Sequence, residues 1–507
     1  MQEKQELEKD MGGSMRCESM GEYTLPDYMP EVRRVVRLDT AAAIQGMYAR
    51  GEGVEVGGEC RYALLYQGED GRLVSAPLDG TFECVLPVGE GGTAQASVQV
   101  ESASCRPTGP RRVSLKSMLV LNWRACTRKD LPSLDTDGGE GALEVLTHTM
   151  PLGATFPFET RDLALTESVK VEPKSTPLSW DGRVLVREVR PEQDGVTLRG
   201  EVWLSALLSR EEGEPYRVKA KIPLEEFLSC PGATPLGMGM AEGACRNLVT
   251  QVTEGEGEGR LTFDLLCDLW GCVCENREAS VTADLYSLTY PCEVEYGRLE
   301  GRHYPFVKMG NFTVDGGIST GELGAGGEMP LVDTRCEAFV TDCESHGGES
   351  VVTGNVRASC ILGTREEGYT SHTFTMPYQV RLAQGTALPE GAQLEASVGC
   401  VGCHGRLDTD GIRVDAELCV RVLCTCPVSR RGVVSWHADT DSPYPDEGGV
   451  VIAAYLGEGD SLWSIGKRYH VSQERLMQAN SLPDEVRAEP DAPYLLDGLT
   501  RLVMERP

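Results

Sequence analysis

Apolar residues recur at every second position through long stretches of the chain before residue 430. The clearest runs are Val113, Leu115, Leu119 and Leu121, then Leu261, Phe263, Leu265 and Leu269, and finally Ile412, Val414, Leu418, Val420 and Val422. A period of two is typical of a β-strand that buries one face and exposes the other. The pattern therefore predicts a mainly β chain with few long helices.

A glycine-led segment occurs three times along this β-rich region. Gly58 begins "GECRYALLYQGEDGRLVSAPLDGTFE", Gly200 begins "GEVWLSALLSREEGEPYRVKAKIPLE" and Gly354 begins "GNVRASCILGTREEGYTSHTFTMPYQ". Each segment reads as a strand, a charged turn that contains glycine, and a second strand, which is the pattern of a β-hairpin. Further extended runs lie before and after each hairpin. The repetition predicts three tandem antiparallel β-sandwich or barrel-like units of about 110 residues each.

The predicted domain boundaries follow these repeats. They are a polar lead-in over 1–35, β units over 36–160, 165–305 and 328–428, a linker over 429–449 and a small C-terminal module over 450–500. The linker contains "DTDSPYPDEGG", a composition that favours a flexible tether. Such a tether would let the module search for its ligand while the β units engage other partners.

The C-terminal module has a β-α-α-β pattern. Val450 to Tyr455 is β-branched and apolar, and Asp460 is placed to cap the helix that follows. Leu462, Ile465 and Tyr469 share one face of that helix. Ser472 is the predicted cap of a second helix, and "PYLL" is the predicted second strand.

These residues resemble the LysM family, which binds glycans that contain N-acetylglucosamine, such as peptidoglycan. The resemblance rests on Gly459, Asp460, Leu462, Trp463, Ile465, Leu476, Asn480 and Leu482. It implies that a glycan, or alternatively a protein partner, contacts Gly459, Asp460, Ser461, Leu462, Asn480, Ser481 and Leu482. The chain departs from the family at Gly466, where a small helix former is usual. A glycine inside a helix costs about 1 kcal/mol relative to alanine.

Three β units followed by such a module resemble the SPOCS-domain proteins of spore-forming Firmicutes, of which SpoIVA-interacting protein L is the named example. The segment Leu25 to Leu38, "LPDYMPEVRRVVRL", is similar to the lead-in of that family. The resemblance implies a non-enzymatic scaffold of spore envelope and coat assembly, in the mother-cell cytoplasm at the forespore surface. Its implied partner is a SpoIVA-like coat-basement ATPase. The alternative is a peptidoglycan-binding protein of the cell wall or cortex.

Composition narrows the classes of partner. The chain has 507 residues and a net charge of −30, and no Lys/Arg cluster is interleaved with aromatic residues. A nucleic-acid footprint is therefore not expected, and anionic membranes are disfavoured. No run approaches the roughly 18 apolar residues that a membrane span needs. The polar start, "MQEKQELEKDMGGSMRCESM", predicts no Sec signal and hence a cytoplasmic location.

The 19 cysteines and the histidines offer little catalytic chemistry. Many cysteines lie in or beside strand-like runs, where the thiol acts as a small buried hydrophobe, and we expect them to be reduced. Cys400, Cys403 and His404 form a C-x-x-C-H string, which matches c-type haem attachment or half of a zinc site, but no further ligands are evident. The string "GISTG" around Ser319 falls in a predicted Gly-rich linker rather than at a nucleophile elbow. We therefore expect no enzyme activity, no cofactor and no metal.

Overall fold

A computed structural model describes residues 6–50, 53–88, 93–130, 134, 143–211, 213–254, 258–323, 329–385, 387–445, 450–457, 459–483 and 500–505. Within these ranges the chain is mainly β, with 20 strands and 3 short helices. No helix among the described residues is long and apolar enough to cross a bilayer.

The strands form three β-sandwiches in tandem. Sandwich 1 contains β1 (Glu6–Thr24), β2 (Val32–Arg50), β3 (Gly53–Gly68), β4 (Leu73–Leu86), β5 (Thr93–Gly109) and β6 (Arg112–Asp130). Sandwich 2 contains β7 (Leu143–Val171), β8 (Thr176–Glu192), β9 (Gly195–Ser209), β10 (Tyr216–Ser229), β11 (Met238–Glu254) and β12 (Gly259–Ser287). Sandwich 3 contains β13 (Cys292–Ser319), α1 (Thr320–Leu323), β14 (Leu331–His346), β15 (Glu349–Thr364), β16 (Gly368–Ala383), β17 (Gln393–Asp408) and β18 (Gly411–Ala438).

All three sandwiches have the same topology. The sixth strand lies between the first and the fifth, while the second, third and fourth strands form a meander, so each sandwich has two three-stranded sheets. Every pairing is antiparallel. The alternating runs of the sequence are the central sixth strands, and Leu119 of β6, Phe263 of β12 and Leu418 of β18 are fully buried. In sandwiches 1 and 3, the sixth strand shares one core with the meander sheet.

The predicted polar lead-in is instead part of sandwich 1 from Glu6 onward. Within it, β1 pairs along its whole length with β6, placing Cys17 opposite Leu119 and Tyr23 opposite Val113. The segment reads as polar because β1 is an edge strand whose outward positions carry charge. From Gly12 onward its less exposed positions are Met15, Cys17, Ser19, Gly21 and Tyr23, which cover one side of β6.

The predicted unit boundaries also cut through strands. β7 continues past residue 160, β13 continues past residue 305, and β18 continues past residue 428 as far as Ala438. These strands pack together with β12, because Met150, Val281 and Leu299 share a small apolar cluster against which Val428 and Val434 of β18 pack. The strands therefore continue through the positions at which the sequence predicted the ends of the three β units.

Each glycine that leads a repeat faces a β-bulge on the second strand. Gly58, Gly200 and Gly354 lie opposite register shifts after Ile44, Val186 and Val340. A Cβ on these glycines would approach the carbonyl oxygens of Ala43, Leu185 and Phe339 within 2.4, 2.0 and 2.1 Å, respectively. Only glycine allows the bulged strand to come this close, which accounts for the threefold repetition of the residue.

A second bulge joins the sandwiches to one another. The register of the second strand skips Val36, Leu178 and Val332 at equivalent positions. These side chains leave their own ladders and join one apolar junction, whose other members are Leu65, Leu73, Leu207, Ile361 and Tyr369. The junction takes residues from all three sandwiches, so burial of apolar surface holds them together.

A buried ion network lies beside this junction and also spans the three sandwiches. Asp333 of sandwich 3 accepts hydrogen bonds from Arg37 of sandwich 1 at 2.5 Å and from Arg217 of sandwich 2 at 2.8 Å. Arg37 also pairs with Asp39 at 2.7 Å. Burial would raise the pKa of Asp333, but the two guanidinium groups outweigh it and hold that pKa well below its usual range.

Candidate functional site

The C-terminal module consists of β19 (Val451–Tyr455), α2 (Leu462–Tyr469), α3 (Gln473–Asn480) and β20 (Arg501–Glu505). Leu462, Ile465 and Leu476 form its core together with Leu502 and Met504. The predicted second strand, "PYLL", lies outside the described residues, and the strand that pairs with β19 is β20. Its alternation is short: between Arg501 and Met504, the buried side chains are Leu502 and Met504.

The loop that opens α2 is built around Ser461. Its Oγ accepts a hydrogen bond from the Ser464 amide at 3.1 Å, and its own amide donates to the Ser464 hydroxyl at 2.9 Å, completing a capping box. Asp460, which the sequence predicts as the cap, instead accepts from the Gly457 amide at 2.9 Å and from Arg468 at 2.8 Å. The Gly457 hydrogen bond is the main cause that lowers the pKa of Asp460. Ser461 takes the cap because its backbone is extended directly before the first helical residue.

The loop after α3 is held by Asn480. Its Nδ2 donates to the carbonyls of Leu476 and Val503, both at 2.7 Å, and its Oδ1 accepts from the Val503 amide at 2.7 Å. The side chain therefore ties the end of α3 to β20. Ser481 follows in the left-handed region with φ 50° and is exposed. The Leu482 amide donates to the Met477 carbonyl at 3.0 Å, and the Leu482 side chain packs against the module core.

The structure divides the seven predicted contact residues into two groups. Leu462, Ser461, Asn480 and Leu482 are buried or engaged within the module, so their side chains build the fold rather than a surface. Gly459 and Ser481 are exposed, and Asp460 is half-buried. At Gly459 φ is +85°, and an added Cβ would meet nothing within 4 Å. The accessible part of the candidate site is thus small and formed largely by backbone.

A second face of α2 packs against the sandwiches, and the sequence did not predict it. Trp463 is only 6% exposed. Its Nε1 donates to Asp284 of β12 at 2.8 Å, and its ring meets Tyr286 edge-on with centroids 4.9 Å apart. Lys467 pairs with Asp284 at 2.6 Å and donates to the Tyr296 hydroxyl at 3.2 Å. We call Trp463, Gly466, Lys467, His470 and Val471 the docking face.

Electrostatics favour the docked arrangement. Burial would raise the pKa of Asp284, but hydrogen bonds from Lys467, Tyr296 and Trp463 outweigh it, and the net pKa lies below its ordinary value. Burial likewise opposes the charge on Lys467, yet Asp284 and Tyr296 raise its pKa overall. Both shifts show that the charged forms of the pair are stabilised in contact.

The predicted flexible linker is largely ordered against this face. Residues 429–438 belong to β18, and the Asp439 amide donates to the Pro291 carbonyl at 2.9 Å. The ring of Tyr444 stacks on the ring of His470 with centroids 3.6 Å apart. The backbone amide of Tyr444 donates to the Thr289 carbonyl at 2.8 Å. Aromatic stacking and backbone hydrogen bonds thus order a segment whose composition predicts a flexible tether. Residues 446–449 of the predicted linker lie outside the described residues.

The C-x-x-C-H string does not form a metal site in the part of the chain that the structure describes. A bulge between Cys400 and Gly402 places both cysteines on the core side of β17, opposite Leu418 and Ala416. His404 is exposed. Ser319 ends β13 rather than lying in a linker, and its hydroxyl donates to Glu322 of α1 at 2.7 Å.

A cavity of about 1280 Å³ lies between the three sandwiches. Trp123 and Arg124 border it from sandwich 1, Trp270 from sandwich 2 and Glu395 from sandwich 3. It forms only when the sandwiches assemble, so no local sequence pattern could indicate it.

Comparison with known proteins identifies the C-terminal module alone. The LysM domain family matches residues 457–490. No curated protein and no solved structure matches the chain. A LysM domain suggests binding to peptidoglycan or another N-acetylglucosamine glycan. The resemblance of the preceding β units to SPOCS domains stays a prediction.

Proposed function

We propose that this chain is a non-enzymatic protein that binds N-acetylglucosamine glycan, such as peptidoglycan, through its C-terminal module. The observation that carries the proposal is that docking uses Trp463 and Lys467, whereas Gly459 and Ser481 stay exposed. The module is therefore held by the sandwiches without covering the loops that the LysM resemblance assigns to the ligand.

The exposed loops suit a sugar chain. A glycine without neighbours lets a pyranose ring approach the backbone closely, and exposed amides and carbonyls can pair with sugar hydroxyls. Docking also fixes the direction in which the module presents this surface. A rigid module loses less conformational entropy on binding than a tethered one.

The proposal is tested by sedimenting the full chain with purified peptidoglycan and with chitin, with soluble N-acetylglucosamine oligomers as competitors. Gly459→Asn places a side chain in the loop while keeping a residue type that tolerates positive φ. Gly385→Asn is the matched control, because φ there is +91° and its added Cβ also meets nothing within 4 Å. We expect Gly459→Asn to lose most of the glycan binding and Gly385→Asn to keep it. Equal binding by both variants, or binding that oligomers do not compete, would refute the proposal.

A second candidate is a scaffold of spore-coat assembly in the mother-cell cytoplasm, with a SpoIVA-like coat-basement ATPase as partner. It is favoured by the apolar junction, which takes residues from all three sandwiches and holds three similar units together. The test is direct binding of the purified full chain to a purified coat-basement ATPase, with and without the glycan oligomers. Binding that survives saturating oligomer would place the partner on the sandwiches. Absence of any binding would remove this candidate.

A further inference from the structure

The cavity between the three sandwiches is bordered by hydrogen bonds that join one sandwich to another. Gln95 of sandwich 1 donates from Nε2 to the Gly271 carbonyl of sandwich 2 at 3.2 Å. Arg357 of sandwich 3 donates to the Val100 carbonyl of sandwich 1 at 3.3 Å. Both acceptors belong to paired strands, so the walls are anchored to the sheets. The cavity of about 1280 Å³ is therefore built by the assembly of the sandwiches.

The floor of the cavity is the outer face of the sheet that contains β1, β6 and β5. Leu121 of β6 is buried in the core of sandwich 1, so the next residue, Asn122, faces the cavity. In register, Asn122 lies between Ser14 of β1 and Ser97 of β5, and both serines also border the cavity. Two more uncharged polar side chains complete the floor, those of Gln95 and Gln99. Hydroxyl and amide groups both donate and accept hydrogen bonds, as a ligand rich in hydroxyl groups requires.

Trp270 of sandwich 2 faces the same cavity. Its neighbour Leu269 is fully buried in the core, so the indole lies on the opposite face of β12, where it is half-buried. Glu242 of β11 is its partner in register and also borders the cavity. An indole has a flat apolar face that can pack against the C–H groups of a pyranose ring, and a carboxylate accepts hydrogen bonds from sugar hydroxyls.

Charge and size narrow the class of ligand. Three arginines and four carboxylates border the cavity, so their charges nearly cancel, although the whole chain carries −30. Arg16 and Glu101, for example, pair at 2.5 Å. A strongly charged ligand would gain little there, which favours an uncharged polar one. The cavity exceeds the roughly 300–1,000 Å³ of a pocket for a drug-sized molecule, so it has room for several sugar units. Asn122 and Glu395 are exposed, so solvent reaches it.

We propose that this cavity binds a linear, uncharged oligosaccharide, with Trp270 packing on one sugar ring and Asn122 bonding to hydroxyls. It is a second glycan site, separate from the exposed loops of the C-terminal module. An extended peptide fits the floor less well, because peptides add to a free sheet edge and Asn122 lies on a strand that is paired on both sides. The use of N-acetylglucosamine as a test sugar rests on the function proposed for the module, whereas the cavity site does not depend on it.

The test titrates the Gly459→Asn full chain with the N-acetylglucosamine hexamer and with cellohexaose, an uncharged hexamer of glucose, by isothermal titration calorimetry. This background removes the site proposed on the module and leaves the cavity intact. We expect saturable binding of one hexamer per chain. Trp270→Ala should weaken it about tenfold and Asn122→Ala, at an exposed position, about fivefold. The matched controls are Trp203→Ala, at a half-buried tryptophan that borders a different cleft, and Asn311→Ala, at an exposed asparagine of β13.

Absence of saturable binding of both hexamers to Gly459→Asn would overturn the proposal. So would affinity that is unchanged in Trp270→Ala and Asn122→Ala, or that falls as much in the two controls. Binding of a Ser/Thr-rich decapeptide in place of the sugars would assign the cavity to a peptide and overturn it as well. Failure of the module site has a different sign, since peptidoglycan sedimentation would then be equal with and without Gly459→Asn. The two proposals can therefore fail separately.

Discussion

The hydroxyl of Tyr286 occupies the space beside Gly466 that the side chain of any other residue would need. A Cβ on Gly466 would lie 2.4 Å from that oxygen, which donates a 2.9 Å hydrogen bond to the Val471 carbonyl. The glycine costs about 1 kcal/mol inside helix α2. That cost is offset in the whole protein, because only glycine lets sandwich 2 approach the helix this closely.

Gly466→Ala should therefore loosen the docked module even though alanine is the better helix former. We expect faster hydrogen exchange in peptides from α2, measured on the full chain by mass spectrometry. The same substitution in a Tyr286→Phe background should have a smaller effect, since the clashing hydroxyl is gone. The Val471 carbonyl, 2.7 Å from the added Cβ, is present in both backgrounds, so part of the effect should remain. Equal effects in the two backgrounds would show that Tyr286 is not the cause.

Asp284 should make docking depend on pH. Its pKa is lowered in the docked state, so its contribution is complete above the ordinary aspartate pKa near 3.8 and is lost as pH falls through the lower, docked value. The raised pKa of Lys467 places the alkaline limit above its ordinary value of 10.5. The contribution of the Asp284–Lys467 pair to docking should thus be constant between about pH 5 and pH 10.

Asp284→Asn removes the negative charge on which both the acid and the alkaline pH limit of the Asp284–Lys467 pair depend. We expect it to weaken docking by about 1 kcal/mol at pH 7, a charge-assisted hydrogen bond discounted for the partial exposure of Lys467. Protection of α2 peptides against hydrogen exchange, followed from pH 3 to pH 7, measures the effect. An acid transition that persists unchanged in this variant would assign the pH dependence to another group.

The buried carboxylate of Asp333 should be essential for assembly of the sandwiches. Asp333→Asn leaves Arg37 and Arg217 without their shared anion, and breaking a buried pair costs about 3–5 kcal/mol. The control is Glu225→Gln, which removes an exposed ion pair with Arg199 and should cost less than about 1 kcal/mol. Urea denaturation of both variants checks the difference. A loss at Asp333 no larger than at Glu225 would mean that the network adds nothing to stability.

Local patterns predicted the elements better than their assembly. Alternation located the central strands, and the spacing of Leu462, Ile465 and Tyr469 located α2 correctly. The docking face was missed because Trp463 and Lys467 lie about 100° and about 140° around the helix from Leu462 and contact residues some 180 positions away. The side chains of Leu462 and Asn480 support the fold of the module, and the seven ligand contacts stay a prediction.

The bulges were equally invisible to periodicity. Val36, Leu178 and Val332 directly follow Val35, Pro177 and Leu331, and a single unpaired residue reverses the face on which each side chain lies. Nothing local distinguishes a valine that belongs to its own core from one that joins a junction of three sandwiches. The leading glycines were the only sequence signal of these irregular strands.

Gly58 and its neighbour Gly57 offer a direct test of that signal. Both lie in β3 without positive φ, yet an added Cβ at Gly58 would meet the Phe82 ring at 2.3 Å and the Ala43 carbonyl at 2.4 Å, whereas one at Gly57 meets nothing within 4 Å. Gly58→Ala should therefore destabilise the chain by about 1–3 kcal/mol through forced movement of the bulged strand. Gly57→Ala should be neutral or stabilise by about 0.4–1 kcal/mol, because alanine restricts only the unfolded chain there. Thermal denaturation of the two variants separates these outcomes, and equal melting temperatures would mean that the glycine repeat does not reflect close approach to the bulge.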